Sequence, residues 1–178
     1  GNKMMKVSYQ ILKECAEFIG SAPLKIQTTN AQEIYNNLQY FKPSELVVFD
    51  FRSRAAFESC HIRDSISIPL DSCTPSDIIK FNEKKFIECF VPKSSVAAFK
   101  GRKRCLVIMI PFEDPSLNLL SNLPKLFESS ENLEVELRED EIALRNSILF
   151  TKHLASERHR NTYVCRSGMK SIAEKYPC

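Results

Sequence analysis

The stretch VCRSGMKS, residues 164–171, sets Cys165 at the end of a short apolar run, followed by a small loop in which Ser167 and Gly168 lie between Arg166 and Lys170. A thiol ahead of successive backbone N–H groups at a helix start has its thiolate favoured and can act as a nucleophile, while the loop binds an anion. A different pairing is offered by Asp50 and Arg52, two apart where the apolar run ELVVFDF (45–51) ends. A carboxylate and a guanidinium so spaced pair with each other and tie a strand end to the loop after it, which is a structural duty. His61 is read the same way, as a histidine bonded to backbone. The seven cysteines, Cys15, Cys60, Cys73, Cys89, Cys105, Cys165 and Cys178, are odd in number and contain no CxxC pair and no histidine at ligand spacing. Reduced thiols are expected, with no metal and no cofactor.

These residues need elements to position them. Val7, Ile11, Cys15 and Phe18 stand near helical spacing, which predicts one amphipathic helix over 4–19. KIQ (25–27) reads as a short strand, and the helix after it opens on Asn30 with Glu33 three residues later, a capping-box arrangement. ELVVFDF and CLVIMI (105–110) read as strands buried on both faces, SISIP (65–69) as a brief strand, and NTYVC (161–165) as the last. Helical patterns fill 74–99, the stretch from Glu141 to Arg158, and the end of the chain. Strands that alternate with helices predict a parallel α/β sheet with right-handed crossovers.

The segment LVVFDFRSRAAFESCHIRDSISIPL (46–70) resembles the rhodanese signature, with Asp50, Arg52, Phe57, His61, Ile62, Ile68 and Pro69 at the matching places. Cys60 stands where that family has glycine and Ser67 where it has asparagine. The ending YVCRSGMKSIAEKYP is similar to the strand, turn, helix and Tyr-Pro that close many eukaryotic members. The resemblance implies a rhodanese-like domain over 23–178, built on a mostly parallel five-stranded central sheet flanked by helices, with an N-terminal helical extension over 1–22. It also implies that the nucleophile belongs immediately after the central strand, CLVIMI. The loop there, PFEDPSLN (111–118), has no cysteine, glycine or arginine, and its Glu113 and Asp114 would repel a thiolate and an anionic substrate. On this register Cys165 falls in the last strand, no residue is catalytic, and Asp50, Arg52 and His61 are structural.

The competing register takes CRSGMK (165–170) as the active loop of a sulfurtransferase, with Cys165 carrying the persulfide and Lys170 replacing the usual arginine. Against it stand the position of Cys165, 115 residues after Asp50, and the 13 residues that follow it, too few for a closing strand and helix. A tyrosine-phosphatase loop is disfavoured further, because Ser171 occupies the place of its phosphate-binding arginine.

The chain of 178 residues is 43% hydrophobic, enough for one domain, and its 25 basic and 22 acidic residues are too balanced to indicate nucleic-acid binding. No apolar run reaches the roughly 20 residues of a membrane span, and the start is no signal peptide, so a cytoplasmic location is expected. The leading glycine and the end at YPC are expected of a piece of a larger multidomain protein. The run KGRKR (100–104) makes Arg102, Lys103 and Arg104 candidates for docking on a protein partner with an acidic surface. MAP kinase phosphatases are similar in joining a rhodanese-like domain to a basic docking motif. Glu113 and Asp114 form the second candidate contact, SSENLEVELREDE (129–141) reads as a solvated insertion, and the 12 phenylalanines are assigned to packing. The expected function is a non-catalytic interaction module of an intracellular regulatory protein.

Overall fold

Apolar residues that follow one another without alternation, as in LVVF, need cover on both faces of a sheet. The computed structural model describes residues 4–20, 26–114, 134–159, 161–176 and 178, and it gives that segment two covered faces. Strand β1 (Met4–Ser8) leads into α1 (Tyr9–Gly20), and β2 (Thr28–Thr29) into α2 (Ala31–Tyr40). Next come β3 (Leu46–Asp50), α3 (Arg54–Ser59), β4 (Ile66–Ser67), α4 (Pro75–Ile79), α5 (Glu83–Phe90) and α6 (Val96–Lys100). They are followed by β5 (Leu106–Ile110), β6 (Glu134–Arg138), α7 (Glu139–Ser156), β7 (Thr162–Cys165) and α8 (Gly168–Lys175). Five strands form one all-parallel sheet in the order β2-β7-β5-β3-β4, with helices on both faces. This is the α/β class expected from the sequence, in an arrangement consistent with a rhodanese-like fold. Among the described residues no helix is long and apolar enough to cross a membrane.

The ladder between β3 and β5 runs from Leu46 opposite Leu106 to Asp50 opposite Ile110, and alternate side chains go to opposite faces. Val47, Phe49, Val107 and Met109 enter the larger core with residues of α1 and α4–α7. Val48, Ile108, Ile110 and Cys165 enter a smaller one with Ala31 and Ile34 of α2 and Met169 and Ile172 of α8. Phenylalanines gather in the larger core, with the ring centroid of Phe49 5.1 Å from that of Phe150 and 5.6 Å from that of Phe99. Each such side chain stabilises the fold by roughly 1.5–3 kcal/mol through burial.

Some elements differ from the sequence reading. Residues 4–8 are strand, because β6 supplies an antiparallel partner in which Lys6 faces Glu136 and Val7 faces Val135. Val7 is buried while Lys6 and Ser8 are exposed, so the period is two until Tyr9 and helical from there on. The acidic stretch is therefore no insertion over 134–141, where it makes β6 and the first turn of α7; residues 129–133 lie outside the described residues. Of the strand expected at 25–27, Lys25 lies outside the described residues and the ladder is formed by 28–29, although the Gln27 carbonyl already accepts the N–H of Val164 at 2.9 Å. The Asn30 cap forms as expected, with Oδ1 accepting the Glu33 N–H at 2.9 Å. Reduced thiols throughout are not what the fold gives: Cys60 and Cys178 are bonded, with Cα atoms 5.5 Å apart. Cys60 and Tyr176 both pack on the smaller core, which carries Cys178 to Cys60 across 118 residues of sequence.

Arg102, expected on an exposed docking surface, is 0% exposed. Its guanidinium donates to Glu157 at 2.7 and 3.2 Å, to Glu83 at 2.9 Å and to the Phe99 carbonyl at 3.1 Å, and it lies 4.5 Å from the centre of the Phe99 ring. A run of cations looks alike in sequence whether every member is solvated or one is folded inward. Removing the buried member takes from Glu157 its two closest bonds while Lys103 and His153 remain beside it, so Arg102→Ala is expected to lower stability by about 1–3 kcal/mol in urea unfolding, whereas exposed Lys103→Ala changes it by less than about 1 kcal/mol. His153 borders this network: burial holds its imidazole below the ordinary value, opposed by Glu157 and assisted by Arg102 and Lys103, with Glu83 opposing more weakly. A depressed folded pKa means that the unfolded chain takes up the proton first, near pH 6.5. Stability is thus full above that pH and falls as pH drops through it towards the folded value, and His153→Gln should flatten that limb in a pH series of unfolding midpoints.

Candidate functional site

The polar end of β3 sets the site. Asp50 closes the strand, Phe51 continues the ladder by donating to the Ile110 carbonyl at 3.0 Å, and Arg52 then turns back on Asp50. Arg52 is 3% exposed and Asp50 1%. The guanidinium Nε donates to Asp50 Oδ1 at 3.0 Å and Nη2 to Oδ2 at 2.7 Å, while the Arg52 backbone N–H reaches Oδ1 at 3.0 Å. Nη2 also donates to the Cys60 carbonyl at 2.6 Å, and Nη1 pairs with Glu113 Oε2. Burial pushes the Arg52 pKa down, but the bonds and charges of Asp50 and Glu113 outweigh it and hold it above its ordinary value. The pairing read from the sequence is present, with a third member, Glu113, that arrives from the loop after β5.

Beside this cage lies a cleft of about 450 Å³, lined among others by Arg52, Leu70, Phe112, Glu113, Asp114 and Asp140. It opens at the C-terminal end of the sheet between β3 and β5, whose onward connections lead to β4 on one side and β7 on the other. Such a switch point is where open α/β sheets hold their ligands. Its floor is partly apolar and its rim acidic: Glu113 is 55% exposed and Asp114 65%. Glu139 and Asp140, from the start of α7, also line it. In the sequence both belong to the stretch expected to be a solvated insertion; the signal for a helix start is three consecutive acids, which the dipole favours there.

The thiol of Cys165 sits elsewhere. It is 0% exposed in the smaller core, with Sγ 3.5 Å from Ser167 Oγ. Burial pushes it up, against Ser167 and the backbone N–H groups of Ser167 and Gly168, which pull it down. The turn passes through Gly168 at φ 82°, a left-handed value that suits glycine. At the start of α8 the N–H groups of Met169 and Lys170 donate to the carbonyls of Phe112 and Glu113 at 3.0 and 2.8 Å. Donors that could cradle an anion thus hold the loop after β5. The Lys170 ammonium lies 3.7 Å from Asp114, with both groups largely exposed.

His61 is exposed, stacks flat on Phe57 at 3.8 Å, and has Nδ1 2.7 Å from the Phe57 carbonyl. Its contact is with backbone, but it stands on the surface and not in the core, and it does not line the cleft. Of the basic run, Lys103 leans on Glu157 at 3.4 Å and exposed Arg104 borders a second cleft of about 630 Å³ with Asn36, Asn37 and Asn161. The structure therefore brings Asp50, Arg52, Glu113 and Asp114 together and leaves Lys103 and Arg104 beyond the other end of β5, a strand roughly 16 Å long. Among the described residues no group of three or more His, Cys, Asp or Glu side chains is placed to hold a metal ion. Neither protein-family models nor curated proteins give a match to this chain. Removing Asp50 leaves the buried guanidinium without its main partner, so Asp50→Ala is expected to lower stability by about 3–5 kcal/mol, against less than about 1 kcal/mol for Glu113→Ala, measured by urea denaturation.

Proposed function

We propose that the chain is a rhodanese-like domain without sulfur-transfer chemistry, acting as a protein-interaction module of a larger intracellular regulatory protein. One observation carries this reading: the loop after the central strand presents a carboxylate, Glu113, to Arg52 where a nucleophile loop would present a thiolate and N–H donors. An acid there disfavours both a thiolate and an anionic substrate. Two exposed patches remain for partners. The cleft rim, Glu113 and Asp114, suits basic side chains, whose apolar stems match the floor. Lys103 and Arg104 suit an acidic docking surface.

A sulfurtransferase acting through Cys165 is the second reading, favoured by the backbone N–H groups of Ser167 and Gly168 directed at the thiol. Complete burial of the thiol and engagement of the next two N–H groups weigh against it. A thiosulfate:cyanide sulfurtransferase assay separates the two. Turnover at the no-enzyme rate, unchanged in Cys165→Ser, is expected; turnover that disappears in that variant would sink the non-catalytic reading. With a partner in hand, Lys103→Ala combined with Arg104→Ala should weaken its capture, most at low salt.

A further inference from the structure

Free cysteines Cys15, Cys73, Cys105 and Cys165 are buried, and Cys89 is exposed. Cys60 and Cys178 differ from all of these. They meet at the surface, Cys178 exposed and Cys60 half-buried, with Cα atoms 5.5 Å apart, well within the span of a disulfide. The last helix does not depend on this bond. Met169 and Ile172 of α8 are in the smaller core, the Met169 and Lys170 N–H groups are bonded to Phe112 and Glu113, and the Tyr176 ring lies 6.2 Å from that of Tyr35. What the bond holds is the end of the chain against the end of α3. Cys60 is a sensitive place to hold, because its carbonyl accepts Arg52 Nη2 at 2.6 Å and so helps fix the guanidinium between Asp50 and Glu113.

We propose that Cys60 and Cys178 form a redox clasp: oxidised, it pins the C-terminal residues to the end of α3 and stiffens the Arg52 cage; reduced, it releases both while the sheet stays folded. The clasp operates by exchange with a low-molecular-weight disulfide such as oxidised glutathione. Deprotonated Cys178, the exposed partner, attacks one glutathione sulfur and expels a glutathione thiolate, which takes up the proton. Cys60 loses its own proton and attacks the Cys178 sulfur, forming the Cys60–Cys178 bond and expelling the second glutathione. Two protein thiols are oxidised to one disulfide, and one glutathione disulfide is reduced to two thiols. Excess reduced glutathione reverses both steps. Nothing in this device requires the cleft to bind a partner.

The 178-residue chain, equilibrated across oxidised-to-reduced glutathione ratios, should yield a linked Cys60–Cys178 peptide at the oxidising end and two alkylated cysteines at the reducing end. Cys89→Ser should leave that titration unchanged and Cys178→Ser should abolish it. Hydrogen exchange of residues 52–62, Tyr176 and Cys178 should be about tenfold faster in the reduced protein, and in Cys178→Ser under both conditions, while α8, β3 and β5 keep their protection. No linked peptide at any ratio overturns the proposal. A linked peptide with the same exchange in both states also overturns it, since the bond is then inert. Loss of protection throughout the sheet on reduction overturns it too, because the bond then supports the whole fold.

Discussion

A guanidinium that is 3% exposed must find its partners inside the protein, and much of the carboxyl end of the sheet is arranged around that requirement. Two residues of separation let Arg52 fold back on Asp50, and the Asp50–Ile110 register brings the loop after β5 alongside. From there Glu113 supplies the outer carboxylate and the Cys60 carbonyl closes the remaining side. The strand end, the exit of α3 and the loop after the central strand therefore share one charged group. Because it is saturated, the cleft beside it takes its character from the carboxylates of the rim.

The same edge brings together groups that a nucleophile site would use, each of them engaged with another part of the chain. A thiolate site needs an open thiol, convergent N–H donors and a nearby cation. Here the thiol at the last strand is sealed between α2 and α8, the Met169 and Lys170 donors hold the loop of the neighbouring strand, and the buried cation is held by acids. Each group is satisfied locally. That is the chemistry of a joint between three chain segments, in which the carbonyls of Phe112 and Glu113 face the start of α8.

The sequence made the sheet readable where local pattern and burial agree. LVVFD, CLVIMI and YVC are apolar runs of strand length, and each is a strand between covered faces. Asn30 and Glu33 announce a helix because the cap is an interaction over three residues. The Asp50–Arg52 pair was legible for the same reason. Features set by distant chain were not: β1 is a strand only because β6 arrives to pair with it, Arg102 is buried only because α5 and α7 bring Glu83 and Glu157, and Cys60 finds Cys178 only once α8 has docked. Glu139 and Asp140 were hidden in the same way, being part of the cleft by virtue of where α7 begins.

The ribbon of β1 and β6 has a consequence for biosynthesis. Met4–Ser8 leaves the ribosome well before Glu134–Arg138, and at 5–20 residues per second the interval is on the order of 10 s. Throughout it β1 offers unpaired backbone and an apolar Val7 to whatever is near. Closing the ribbon brings α1 onto α4 and α7, so the larger core is completed only after Glu134–Arg138 has been made, by the union of two segments far apart in the sequence.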